Sequence, residues 1–315
     1  QRARQRLARQ AASFRVPMPN RPRFNDAQRI GRRTEVVALG PLIQRGRGLR
    51  RRRRSAEQTL KPRGGRLADL AELSRQVGEQ AGRNVKKTVM ELGGVDPFIV
   101  LEDADMDLTV ERFMEGKLSH TGQICIAAKR IILTKPVAEE FLNRVTKAFS
   151  ELNPGDPLDE STGYGPLCTL KAAEQLEDQI DRSVTAGAKV IVGGKRNEAF
   201  IEPTIITNIQ RGTPAFDEEM FGPVALVFVV PDEAAAVELA NDSPFGLGGS
   251  VYTSDEVRGR RVAEQIEAGV AFVNHIAWTY ASMPMGGVKK SGYGRELGHL
   301  GILEFVNQKL IRVFN

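Results

Sequence analysis

The stretch Gly122-Gln123-Ile124-Cys125-Ile126-Ala127 places a cysteine in a glycine-led turn between two apolar, partly helical segments. A lone cysteine is most often a small buried hydrophobe. Here Gly122 permits a tight turn, and Cys125 opens a segment that runs into a predicted strand at Arg130. Backbone N–H groups at such a turn can hold a developing oxyanion, and the turn allows the partial exposure that thiolate chemistry needs. Cys125 is therefore a candidate nucleophile, whereas Cys168 lacks this setting and is interpreted as a packing residue.

A second short motif, Met90-Glu91-Leu92-Gly93-Gly94, lies upstream and offers a carboxylate followed by two glycines. Glu91 has apolar neighbours, so partial burial would raise its pKa and suit it to work as a general base. The alternative is a solvated glutamate at the end of a strand. The cysteine motif favours the base.

Apolar β-type runs alternate with helical patterns from Val77 onward, which predicts an α/β fold with a mostly parallel sheet. Asp232 and Ser254 are predicted as helix N-caps. The predicted strands are Phe98–Leu101, Arg130–Thr134, Lys189–Val192, Val224–Val230, Ser250–Tyr252 and Val270–Asn274. The predicted helices are Asp107–Ser119, Val137–Glu151, Leu170–Ala186, Glu233–Asn241 and Glu256–Ala268.

The C-terminal end is also predicted to be extended. Residues 77–300 would form the catalytic domain, and residues 301–315 would carry a strand at Asn307–Phe314. That strand has no later partner in the chain, so it is a candidate edge for homo-oligomer formation.

Composition sets wider limits. A chain of 315 residues with 41% hydrophobic content can hold two domains of ordinary size. The sequence shows no apolar run long enough for a membrane span, and no signal peptide. It does not begin with Met, so we expect a fragment. Two cysteines make no disulfide framework, which favours a reducing cytoplasm, and three scattered histidines predict no metal site.

The net charge of +6 hides two unlike parts. Residues 1–76 hold 20 arginines and one lysine against five acidic residues, and the remainder is acidic. One interpretation is a basic arm that contacts nucleic-acid phosphates. The other is a non-native peptide, such as GC-rich DNA translated out of frame, which the near absence of lysine favours. Either way, most of residues 1–76 should lack a packed core.

Several stretches in order together resemble the aldehyde dehydrogenase superfamily, from about Val77 to the C-terminus. The form of the cysteine segment and of Ser291–Leu297 looks most like the succinate-semialdehyde dehydrogenase branch. The stretches are Glu91–Gly94, Asp103–Asp107, Gly122–Cys125, Glu219–Pro223, Asn241–Leu247 and Pro284–Gly298.

The resemblance implies a role for each matching residue. Cys125 would attack the aldehyde to give a thiohemiacetal that yields a hydride to NAD or NADP, and Glu91 would activate the water that hydrolyses the thioester. Cofactor contacts would come from Leu92, Gly93, Glu219 and Phe221. The substrate funnel would be lined by the loop His275–Ala281 and its surroundings, with His275, Trp278 and Ser282 as the contact residues.

The first quarter departs from the family. There the family has a dinucleotide-binding domain with a glycine-containing phosphate loop and an oxyanion asparagine, and residues 1–76 show neither. We therefore expect a catalytic domain whose dinucleotide-binding domain is largely missing, with little dehydrogenase turnover. Two rival functions are a nucleic-acid-binding α/β protein with an arginine-rich arm, and a catalytically silent subunit that associates with full-length homologues.

Overall fold

The computed structural model describes residues 70–314. The arginine-rich segment and the proposals of a nucleic-acid arm or a non-native peptide lie almost entirely outside the described residues. A helix spans Leu70–Arg83 and crosses the boundary that the sequence predicts between residues 76 and 77. The predicted boundary therefore falls inside one continuous helix, and the division into domains stays a prediction.

The helices of the described part begin and end as follows: α1 Leu70–Arg83, α2 Met106–Leu118, α3 Lys135–Ser150, α4 Leu170–Thr185, α5 Pro214–Asp217, α6 Glu233–Asn241, α7 Glu256–Ala263 and α8 Gly298–Glu304. The strands are β1 Met90–Glu91, β2 Asp96–Val100, β3 Ala128–Thr134, β4 Lys189–Val192, β5 Arg196–Asn197, β6 Phe200–Ile201, β7 Thr204–Thr207, β8 Val224–Val230, β9 Phe245–Gly246, β10 Ser250–Tyr252, β11 Phe272–Val273, β12 Val288–Lys289 and β13 Gly292–Tyr293.

Seven of these strands form one sheet in the order β11-β10-β2-β3-β8-β7-β4. All pairs are parallel except the edge pair of β4 with β7. The mostly parallel α/β sheet predicted from the sequence is confirmed. Its central strands β2 and β3 are buried along their whole length and are mostly apolar, because helices cover both faces.

The two faces of β2 show how the core is divided. Phe98 is fully buried among the rings of Phe113 in α2 and Phe141 in α3, with ring centroids 5.6 and 6.4 Å away. Ile99 points to the opposite face and packs in a cluster with residues of α6 and α7. Successive side chains of a strand face opposite ways, so one short strand anchors both helical layers.

The N-cap predicted at Ser254 is wrong. Asp255 caps α7 by accepting from the backbone N–H groups of Val257 and Arg258. Ser254 instead donates its hydroxyl to the Asp103 carboxylate, at 2.9 Å. A carboxylate with two acceptor atoms takes the cap because the neighbouring hydroxyl is committed elsewhere.

The strand predicted at Asn307–Phe314 is absent from the single chain. These residues have no regular secondary structure, and Leu310, Ile311, Val313 and Phe314 are exposed. An extended segment becomes a strand only when another backbone pairs with it, and no described segment does so. Its pairing with a second copy stays a prediction. Within residues 70–314 no helix is long and apolar enough to cross a membrane.

Candidate active site

The sequence motifs converge because each lies just before one of four neighbouring parallel strands. Glu91–Gly94 precedes β2, Gly122–Ala127 precedes β3, Glu219–Pro223 precedes β8, and Gly246–Gly249 precedes β10. Segments that lead into adjacent parallel strands meet at one edge of the sheet. The candidate site therefore sits at the amino ends of the strands.

The turn that carries Cys125 is fitted closely against the Glu219–Pro223 segment. Gly122 has φ +74°, and a Cβ atom there would lie 2.2 Å from the Gly222 carbonyl oxygen. Only glycine allows both the left-handed backbone and this approach. Cys125 itself is half-buried and packs against a small apolar cluster of Ile126, Leu247, Ala277 and Met285.

The structure brings the Cys125 thiol and the Glu91 carboxylate close enough together that each shifts the pKa of the other. Burial raises the pKa of the Cys125 thiol to about 12, and the negative charge of Glu91 adds to the effect, while the nearby Lys129 ammonium opposes it. The thiol therefore rests in the protonated form with a proton acceptor already in contact. The Glu91 carboxylate is placed to accept that proton when the thiolate forms.

Glu91 is less buried than the sequence predicts. Its side chain is exposed on this chain, because β1 turns the buried Met90 inward and Glu91 outward. Desolvation by the protein on one side still raises the pKa of the Glu91 carboxyl, while the hydrogen bond from Cys125 lowers it. The predicted direction of the shift is correct, and solvent limits its size.

A third motif holds β1 in place. β13 pairs antiparallel with β1, so that Gly292 lies opposite Glu91. The buried Ser291 hydroxyl donates to the Gly93 carbonyl oxygen at 2.7 Å and accepts from the Gly246 N–H at 2.9 Å. Three separate motifs are thus tied together through one side chain whose role the sequence did not reveal.

Glu219 lies beside the glycines that follow Glu91. Its Oε1 atom accepts from the Gly94 N–H at 3.2 Å, and a Cβ atom at Gly93 would lie 2.3 Å from Oε2. Leu92 is half-buried, and its N–H donates to the Ser291 carbonyl oxygen at 3.1 Å. A carboxylate held against bare backbone is chemically suited to accept hydrogen bonds from ribose hydroxyls, so these residues fit the ribose end of a nicotinamide nucleotide.

Lys129 connects the remaining predicted cofactor residue to this group. Its side chain is fully buried, its Nζ atom lies 3.1 Å from Glu219 Oε1, and it stands 5.7 Å from the centroid of the Phe221 ring. The Phe221 side chain is 43% exposed, which leaves the ring available to a ligand. No sequence pattern pointed to Lys129 beyond its place in the cysteine segment.

The predicted substrate loop is only partly joined to the nucleophile. Ala277 packs in the apolar cluster against Cys125, and the half-buried His275 donates from Nδ1 to the Ile276 carbonyl oxygen at 2.9 Å. Trp278 and Ser282 are exposed. Within residues 70–314, neither side chain forms a hydrogen bond to a site residue. Their contact with substrate stays a prediction.

Asp96 is a further buried group that the sequence reading missed. It pairs with Ala128 at the start of β2, and its Oδ1 atom accepts from the Gly248 N–H at 3.1 Å. Its Oδ2 atom has no hydrogen-bond partner among residues 70–314. Burial raises the pKa of the Asp96 carboxyl to about 7, and the charge of Lys129 opposes that rise.

Comparison with known proteins agrees with this arrangement. The model of the aldehyde dehydrogenase family matches residues 71–311. A succinate-semialdehyde dehydrogenase [NADP(+)] from Deinococcus radiodurans is 50% identical over 241 residues, covering 76% of this chain and 50% of the relative. A succinate semialdehyde dehydrogenase [NAD(P)+] from Escherichia coli is 43% identical over 234 residues, covering 73% of this chain and 51% of the relative. The chain spans about half the length of these curated relatives.

Solved structures give the same result. Succinic semialdehyde dehydrogenase from Streptococcus pyogenes, in complex with NADP+, superposes with a TM-score of 0.76 at 38% identity, covering 78% of this chain and 55% of that one. Betaine aldehyde dehydrogenase from Staphylococcus aureus, in complex with NAD+, gives a TM-score of 0.73 at 33% identity, covering 78% and 52%. With its motifs gathered at one edge of the sheet and three-quarters of its length matched, the chain belongs to the aldehyde dehydrogenase family.

Proposed function

We propose that this chain carries the thiol chemistry of an NAD- or NADP-dependent aldehyde dehydrogenase that oxidises succinate semialdehyde to the carboxylic acid. The observation that carries the proposal is the placement of the Cys125 thiol beside the Glu91 carboxylate, at the end of the sheet where the sequence motifs meet. The identity to relatives named for succinate semialdehyde and NADP(+) supports the choice of substrate and of cofactor. A reducing cytoplasm, in which both free cysteines stay reduced, fits this chemistry.

The first step follows from the resting protonation of the pair. Glu91 takes the thiol proton, and the Cys125 sulfur then attacks the aldehyde carbonyl carbon, so that a carbon–sulfur bond forms and the carbonyl oxygen gains negative charge. The Cys125 N–H has no hydrogen-bond acceptor among the described residues, which leaves it available to that oxygen.

The later steps again use the same two side chains. When bound, the nicotinamide nucleotide supplies the hydride acceptor, and Glu219 and Phe221 would hold its ribose and ring. The thiohemiacetal carbon loses a hydride, which leaves a thioester on Cys125, and Glu91 releases the thiol proton to solvent. Glu91 can then take a proton from the water that attacks the thioester carbon, and it passes that proton to the departing sulfur. The carbon–sulfur bond breaks, the carboxylic acid leaves, and Cys125 regains the thiol state.

The test is formation of reduced nicotinamide from succinate semialdehyde and NADP+ by the wild-type chain, Cys125→Ala and the matched control Cys168→Ser. We expect slow turnover, because catalysis depends on how the hydride acceptor is positioned and the chain spans half of its relatives' length. Enzyme is therefore used at substrate-like concentrations. Wild type and Cys168→Ser should react at the same rate, and Cys125→Ala should not react. Equal rates for wild type and Cys125→Ala would refute the proposal.

A further inference from the structure

Lys129 makes an unusual set of contacts for a lysine next to a nucleophile. Its side chain is fully buried, and its ammonium group donates to the carbonyl oxygens of Ile124 at 3.0 Å and Cys125 at 2.8 Å. The third partner is the Glu219 carboxylate at 3.1 Å. An ammonium group has three N–H donors, so these three acceptors satisfy it completely.

Lys129 acts together with a backbone turn on the Cys125 amide, because the Ile124 carbonyl oxygen also accepts from the Ala127 N–H at 3.1 Å. The Ile124 carbonyl and the Cys125 N–H belong to one peptide plane, and the described chain contains no cis peptide bond. In a trans peptide the C=O and N–H bonds point in opposite directions. Since Lys129 draws the Ile124 oxygen toward the protein interior, the Cys125 N–H must point away from Lys129.

We propose that Lys129 is a positioning residue: its ammonium group orients the Ile124–Cys125 peptide so that the Cys125 N–H faces the reacting carbonyl oxygen, and it ties this peptide to Glu219. The inference rests on the proposed function and adds to it a buried residue that touches neither substrate nor cofactor. Lys129 thus links the Oε1 atom of Glu219 to the turn that carries Cys125. A movement of that atom would be transmitted to the turn through the lysine side chain.

The same lysine also provides a charge near the sulfur. Its positive charge lowers the pKa of the Cys125 thiol, against the larger opposite effect of burial. Loss of that charge alone would slow every reaction of the thiolate. The orientation of the Cys125 N–H matters only in a reaction that forms an oxyanion. A reaction of Cys125 with an oxyanion and one without it therefore separate the effect of orientation from the effect of charge.

The experiment compares two rates at Cys125 in a Cys168→Ser background. Alkylation by iodoacetamide displaces iodide and forms no oxyanion, whereas acylation by p-nitrophenyl acetate passes through a tetrahedral oxyanion. For Lys129→Met we expect alkylation to slow about threefold, because a higher thiol pKa is partly offset by higher intrinsic nucleophilicity. Acylation should slow at least about tenfold more than alkylation, since loss of one oxyanion donor lowers kcat by a factor of about 10²–10³.

The matched control is Lys117→Met, which also removes a fully buried lysine. Lys117 Nζ has no hydrogen-bond partner in residues 70–314, and burial lowers the pKa of Lys117 well below its ordinary value. The charges of Lys129 and Glu219 act on Lys117, so this control also tests whether loss of any nearby buried amine slows the reactions. Since Lys117 has no hydrogen bond to the Cys125 turn, both rates should stay within about twofold of the parent. Should Lys129→Met fail to fold by circular dichroism, Lys129→Gln is measured under the same criteria.

Equal slowing of both reactions, or slowing of neither, would overturn the positioning role. Both rates are measured without nicotinamide, so the result is independent of dehydrogenase turnover. If Cys125→Ala were found to oxidise aldehyde, the proposed function would fail, while the effect of Lys129 on the two thiol reactions would still be decided.

Discussion

At the scale of single residues, the site is a thiol and a carboxylate that act on each other unequally. The Glu91 carboxylate raises the pKa of the Cys125 thiol, whereas the interaction with Cys125 lowers the pKa of Glu91 against the larger effect of desolvation. The sequence was sufficient to predict both residues and the direction of the Glu91 shift. It could not predict the exposure of Glu91, because that depends on which way a two-residue strand turns.

Glu91→Gln should change two reactions of Cys125 in opposite directions. The amide removes a negative charge next to the sulfur, so the thiol pKa falls and alkylation by iodoacetamide becomes faster. Hydrolysis of p-nitrophenyl acetate should fall by about 10²–10⁴, because no base remains to activate water. Slower alkylation or unchanged hydrolysis in this variant would contradict the assignment.

The same pair gives a pH dependence in the wild type. A base must be ionised to accept a proton, and the pKa of Glu91 is raised above the ordinary value of 4.5. Steady-state ester hydrolysis should therefore rise with pH through a midpoint above 4.5, and Glu91→Gln should lose that rise.

The Asp96→Asn variant should gain stability relative to the wild type as pH rises. The folded chain holds the Asp96 proton up to a pKa of about 7, while the unfolded chain releases it near 3.8. Between these values the wild type loses stability with increasing pH, by up to about 4 kcal/mol for a shift of roughly three units, and the asparagine variant does not. Urea unfolding of both proteins at about pH 4 and about pH 8 measures this. If the difference in unfolding free energy between the two proteins were the same at both pH values, Asp96 would ionise normally.

At the scale of elements, the parallel sheet explains why distant motifs meet. The predicted strands at Lys189–Val192, Val224–Val230 and Ser250–Tyr252 have the observed bounds, and the sheet type was correct. β7 at Thr204–Thr207 was missed, since a four-residue run beside a proline gives little periodic signal. The short pairs β1–β13 and β9–β12 could not be predicted either, because they join segments far apart in the chain.

Gly292→Ala should weaken the fold and move Glu91. Gly292 has φ +114°, and a Cβ atom would lie 2.0 Å from the Met90 carbonyl oxygen in the pairing that holds β1. We expect a loss of about 2–4 kcal/mol in the free energy of unfolding, measured with urea, together with slower ester hydrolysis.

Gly82→Ala is the matched control for that substitution. Gly82 lies in α1, where an added Cβ would meet nothing within 4 Å. Its stability should stay the same or increase by up to about 1 kcal/mol. Equal effects of the two substitutions would argue against the close β1–β13 contact.

At the scale of the whole molecule, the described residues bring the Cys125, Glu91 and Glu219 motifs to one end of the sheet, in a family whose curated relatives are about twice as long. The sequence motifs were enough to predict the family and the branch. Substrate contacts could not be predicted to the same depth, because the side chains of Trp278 and Ser282 are exposed and have no hydrogen bond to a site residue within residues 70–314. The thiol chemistry, by contrast, needs only residues that the structure brings together.

The central claim is that Cys125 is the nucleophile of this site, and the most direct test is to locate the acyl group after brief reaction with p-nitrophenyl acetate. The reaction is quenched in acid, and the chain is digested and mapped by mass spectrometry, with Glu91→Gln used to slow loss of the acyl group. We predict one acetyl group per chain, on the peptide that contains Cys125. Acetylation of Cys168 instead, or no acylation of a folded chain, would contradict the account.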